Sequence, residues 1–74
     1  MQGYLIYQID NEIIARGRID GTELARSTDA TTVFQTVLDT LEQHGGGEVF
    51  IESGRYHINQ PVRIPGRVTV RGIR

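Results

Sequence analysis

The last third of the chain sets the tightest limit on its fold. Apolar pairs two residues apart follow in close order: Val49/Ile51, Tyr56/Ile58, Val62/Ile64 and Val68/Val70. That spacing points both side chains of a pair to one side of a strand. The corners between them, Ser53-Gly54, Asn59-Gln60-Pro61 and Pro65-Gly66, stop each strand after a few residues. A hairpin meander would call for tight turns of the asparagine-glycine kind, and these proline-bearing corners lack them. The alternative bends the chain at each corner and brings it round a full circuit. Val49/Ile51 then lie beneath Val68/Val70, 19 residues later, as parallel neighbours. Such a circuit is one coil of a parallel β-helix, in which each coil buries its inside only against the next. Polar and charged residues take the outward positions, and Phe50 alone breaks that rule, available to seat neighbouring structure from outside.

A coil of this kind needs a cap, and the preceding segment supplies an amphipathic helix. Ala30, Val33, Phe34, Val37, Leu38 and Leu41 recur at helical spacing and form a wide apolar stripe. Asp29 is the expected N-cap, its carboxylate accepting first-turn N–H groups at the positive helix end. Gly45 suits the left-handed position after the helix, and His44 the last turn. Because Gly45-Gly46-Gly47 follow a helix and precede a strand, they are not a phosphate loop, which has the reverse order.

Upstream, Gly3–Ile9 reads as a strand with apolar residues on both faces. Asp10-Asn11 is a hairpin turn into a second strand over Glu12–Ile19, loosened near Gly17. Asp20-Gly21 leads into a short third strand around Thr22–Ala25. The expected fold is α+β in a single domain, 1–74: a meander over 1–26, a capping helix over 29–44 and one coil over 48–72.

A chain of 74 residues buries only ~60–65% of its unfolded surface, and it has no cysteine with which to add a disulfide or a thiolate metal site. A partner chain is the remaining source of buried area. The longest apolar run, Tyr4-Leu5-Ile6-Tyr7, is too short to span a bilayer, and no secretory signal pattern is present. A cytoplasmic location is the default expectation, with a virion-associated or non-classically exported protein as alternatives. The net charge of −1 conceals an asymmetry: all nine acids precede residue 53, while Arg55, Arg63, Arg67, Arg71 and Arg74 follow it. Arg63, Arg67 and Arg71 fall on outward positions of successive short strands. With Arg55 they are candidate anion-binding residues, able to grip acidic groups bidentately; subunit or solvent contacts are the competing role. Few aromatics accompany them, so a nucleic-acid stacking platform is not expected.

The set Thr28-Asp29-Ala30, the stripe through Val33, Phe34, Val37 and Leu41, Gly45-Gly46-Gly47-Glu48-Val49, Gly54-Arg55-Tyr56-His57-Ile58, and Val62-Arg63-Ile64-Pro65 through Val68-Thr69-Val70-Arg71-Gly72 resembles a known entry structure. It is similar to the N-terminal entry of the pectate-lyase-like right-handed β-helix superfamily, which includes polysaccharide lyases, polygalacturonases and phage tailspikes. The resemblance covers residues 28–72, and Glu52 stands where the family often has proline. It implies a fold and carries over no catalytic residue, since the family's catalytic acids, bases and calcium ligands sit on later coils that this sequence lacks.

His44 and His57 have no third partner for a metal site, and Asp29, Asp39, Glu42 and Glu48 are better explained as cap and solvated ends than as a catalytic pair. No catalytic residue, metal or cofactor is therefore expected. The open strand at Val68, Val70 and Ile73 is the expected oligomer edge, covered by a second copy in a dimer or trimer. The leading expectation is a non-enzymatic, self-associating structural or interaction module, a stand-alone β-helix capping remnant. The alternatives are a small binding module for an anionic glycan or other polyanion, and the N-terminal fragment of a larger polysaccharide lyase or hydrolase.

Overall fold

The computed structural model describes residues 3–72. Five strands and one helix follow in the order β1 (Gly3–Ile9), β2 (Glu12–Gly17), β3 (Glu23–Ser27), α1 (Ala30–Gln43), β4 (Gly47–Ile51) and β5 (Val68–Gly72). They form one mixed, open sheet in the order β3-β2-β1-β4-β5, with α1 packed on one face. The fold is α+β.

The N-terminal meander forms by its turn chemistry. Asp10 adopts φ 56°, and the two-residue turn sets Ile9 opposite Glu12 and Ile6 opposite Ala15. A register shift between Ala15 and Arg16 loosens the strand near Gly17 and displaces β3 to Glu23–Ser27, later than the Thr22–Ala25 expected. Strand alternation then sorts the side chains. Ile6, Ile13 and Ala15 face the helix stripe of Ala30, Val33, Val37, Leu38 and Leu41, and Val49 joins them to make the core. On the opposite face Ile14 is fully buried, standing in register between Tyr7 and Arg26.

Asp29 caps α1 as expected, its Oδ1 accepting the Thr31 N–H at 3.1 Å and its Oδ2 the Thr32 hydroxyl at 2.9 Å. Asp29→Ala removes both bonds, and the expected cost is about 1 kcal/mol in urea denaturation, with no change in the m-value. Thr32→Ala, which keeps the backbone bond, should cost less.

The C-terminal third departs from expectation in two respects. First, the parallel pair exists, but Val49 lies beside Val70 and Ile51 beside Gly72, an offset of 21 residues instead of 19. Second, Tyr56/Ile58 and Val62/Ile64 do not form strands; residues 52–67 make an irregular connection. A strand in a solenoid face pairs only with the coil above or below it. β4 has such a neighbour on each side, since β1 runs parallel to it with Tyr4 beside Val49. Among the described residues, the segments at 56–58 and 62–64 have none.

Helix side chains take the place of those missing strands. Thr31 Oγ1 accepts the Asn59 N–H at 3.0 Å and donates to Asn59 Oδ1 at 2.9 Å. One turn on, Gln35 Oε1 accepts the Arg63 N–H at 3.1 Å, and its Nε2 donates to the Arg63 carbonyl at 3.4 Å. Spacing of four residues puts Thr31 and Gln35 on one helix face, in line with the passing chain. Tyr56 sets its ring edge-on to Phe34 at 5.5 Å, and its hydroxyl donates to the Glu52 carbonyl at 2.8 Å.

Candidate functional site

The C-terminal arginines do not form a ladder. Because the strands meant to carry Arg55 and Arg63 are absent, no common pleat aligns the four side chains. Arg63 folds back on the helix and donates from Nη1 to Glu42 Oε2 at 3.0 Å, with Asp39 at 3.8 Å. Its hydrogen bonds hold the Glu42 carboxyl below the ordinary carboxylate range and raise the guanidinium in turn. Arg71 donates from Nε to Glu48 Oε2 at 2.8 Å across the β4–β5 pair. Arg55 sits in the connection, its N–H donating to Gln8 Oε1 at 3.1 Å. Arg67 lies at the turn before β5, where its carbonyl accepts the Gly47 N–H at 3.1 Å. Two of the four candidate anion-binding residues are thus neutralised within the chain.

The edge expected at Val68 and Val70 is on β5, the last strand of the sheet. Ile73, the third member of that set, lies outside the described residues. The free side of β5 presents backbone N–H and C=O groups with no neighbouring strand among the described residues. Beside it opens an apolar slot of about 150 Å³ between α1, β4, β5 and the 52–67 connection. Its wall consists of Ile6, Phe34, Leu38, Val49 and Ile51 inside, with Ile58, Val62, Ile64 and Val70 at the mouth. Ile58 is 41% exposed, Ile64 57% and Val70 40%. These are the side chains whose pairing rhythm pointed inward; without a further layer, the inside of the circuit opens to water.

On the reverse face of β5, Arg71 and Glu48 lie on the same side as Phe50. Phe50 does seat a neighbour: the Arg18 guanidinium stacks over its ring, 4.0 Å from the centroid. The opposite edge strand, β3, is wrapped in charge. Arg26 donates to Glu23 at 2.8 Å and to Glu12 at 3.2 Å, and Arg16 donates to the Tyr7 hydroxyl at 2.7 Å. The two sheet edges therefore differ in kind. β3 carries paired charges of the sort that discourage strand addition, while β5 adjoins exposed aliphatics.

Among the described residues no group of three or more His, Cys, Asp or Glu converges as a metal site. Asp39 and Glu42 are engaged by Arg63, and Asp29 by the helix start, so these acids do not meet as a pair of free carboxylates. No helix is long and apolar enough to cross a membrane. No protein-family model, curated protein or solved structure matches the chain.

Proposed function

We propose that this domain is a non-enzymatic, self-associating structural or interaction module, whose β5 edge joins a second copy of the chain. The observation that carries the reading is the free β5 edge lying next to an apolar slot with Ile58, Ile64 and Val70 at its mouth. A twofold axis at that edge sets β5 antiparallel to its copy, the commonest closed arrangement, in which the same patch serves both partners. Strand alternation then brings Val70 and its copy to one side, so that two apolar slots merge. The charges do not oppose this approach, since Arg71 is held by Glu48 and Arg63 by Glu42 within each chain.

The β-helix reading belongs to the same proposal. β1, β4 and β5 run parallel in one sheet, α1 lies over them, and the 21-residue circuit from β4 to β5 has the length of a solenoid coil. In this reading the domain is the capped end of a right-handed, pectate-lyase-like coil, and the next layer is supplied by association.

Light scattering over a dilution series tests the assignment. The expected result is a dimer that persists to micromolar concentration. Val70→Lys places a charge at the edge and should leave a folded monomer, losing about 1 kcal/mol or less of monomer stability because the site is half exposed. A wild-type monomer throughout the series would refute self-association and favour a parallel strand from further coils as the natural cover. A dimer untouched by Val70→Lys would place the interface elsewhere.

A further inference from the structure

The apolar slot between α1 and the 52–67 connection belongs to a single chain and is complete before any second copy arrives. Every residue around it carries a hydrocarbon side chain, and no polar atom faces the space. Ile6, Leu38 and Val49 on its inner wall are buried, while Ile58, Ile64 and Val70 at its mouth are exposed. Its volume of about 150 Å³ is below that of a drug-sized ligand site. It is the size at which an apolar cavity walled by leucine, isoleucine and phenylalanine stays dry and takes up benzene.

The slot is held open by the way its outer wall is attached. Thr31 bonds Asn59, Phe34 meets the Tyr56 ring, and Gln35 bonds the Arg63 backbone, all from one face of α1. The anchored residues sit next to those that line the slot: Ile58 precedes Asn59, and Val62 and Ile64 flank Arg63. These anchors fix the connection at a set distance from the helix, so the apolar side chains beside them do not collapse onto Leu38. Water inside finds no hydrogen-bond partner in the wall, and its replacement by an apolar group is favourable. An ion or a strongly polar group would lose its hydration there without compensation.

We infer that the slot binds a small uncharged hydrocarbon group, one aromatic ring or a short alkyl chain, between Phe34 and Leu38 of α1 and residues 58–64 of the connection. The space accepts a group of about six carbons, and the wall sets its chemistry by offering dispersion contacts and nothing to a polar atom. The inference goes beyond self-association, because the ligand lies inside one chain and a second copy only covers the mouth.

Benzene is a suitable probe, titrated into the full chain and followed by methyl NMR. Saturable shifts are expected, with contacts from the ring to the Leu38, Ile51 and Val62 methyl groups. Val62→Phe puts a ring of the protein's own into the slot and should weaken binding about tenfold or more. Ile19→Ser, at an exposed turn away from the slot, should change it less than about twofold. Circular dichroism checks that each variant is folded. 1,4-Dihydroxybenzene, which cannot keep both hydroxyls at the mouth, should bind about tenfold more weakly than benzene. Shifts that never saturate, contacts away from those methyl groups, unchanged affinity in folded Val62→Phe, or equal affinity for the diol would each overturn the assignment. The titration is repeated at protein concentrations on both sides of any dimer transition, and equal affinity is expected. Affinity that falls as the dimer forms would show that the partner's side chains fill the slot, and would overturn the ligand site while leaving self-association intact. A chain that stays monomeric yet binds benzene would do the reverse.

Discussion

Leu41→Ala is expected to remove a large share of the chain's stability. Leu41 is fully buried in the last turn of α1, among the side chains that join the helix to the sheet. Truncating a core leucine costs about 2–5 kcal/mol, the transfer term plus the cavity left behind. A domain of this length has on the order of 4–11 kcal/mol in total. At roughly 4–8 °C per kcal/mol, a loss of about 3 kcal/mol lowers Tm by roughly 12–24 °C. Thermal melts at several protein concentrations measure it, and their concentration dependence separates monomer stability from association. A shift below about 4 °C would mean that Leu41 does not anchor the helix.

Gly46→Ala should be nearly as damaging, for a backbone reason. Gly46 has φ 119°, and an added Cβ would stand 2.5 Å from the Arg67 carbonyl oxygen, the same oxygen that accepts the Gly47 N–H. That oxygen belongs to the chain entering β5, so relief requires moving the strand. Strain and overpacking together are expected to cost on the order of 3 kcal/mol. Gly45→Ala is the contrast. Its φ is 87°, but no atom lies within 4 Å of the added Cβ, so only the backbone penalty of about 1–2 kcal/mol applies. Urea denaturation of both variants reads the difference, and equal losses would show that the close approach to Arg67 is not the cause.

These two sites show how far the sequence carries. The helix was legible from its 3.6-residue stripe and from Asp29, because both are local signals. The turns at Asp10-Asn11 and Asp20-Gly21 were legible from side chains suited to positive φ or to capping a turn. The position of the glycine run between a helix and a strand marks it as a structural turn, but nothing local distinguishes Gly45, which faces open space, from Gly46, which faces a backbone 21 residues away.

The apolar pairs of the last third misled in an informative way. Val49/Ile51 and Val68/Val70 are strands because each has a parallel neighbour; Tyr56/Ile58 and Val62/Ile64 share the same rhythm and are not. Period-two patterning reports which way side chains point: six of the eight paired residues line the slot, and Tyr56 and Val68 pack against the core. Strand formation also needs a partner for the backbone, and in the connection Thr31 and Gln35 fill that role instead.

Charge was the least legible property. The block of C-terminal arginines is plain in the sequence, yet Arg63 and Arg71 spend their charge on Glu42 and Glu48, while Arg18, outside that block, stacks over Phe50. By itself the sequence determined the helix, its cap, the turns and the inward face of each apolar pair, since these depend on spacing and on neighbours along the chain. Only the tertiary structure decided which pairs became strands, which arginines remained unpaired and where the apolar interior opens, because each of those depends on what lies across space from a residue.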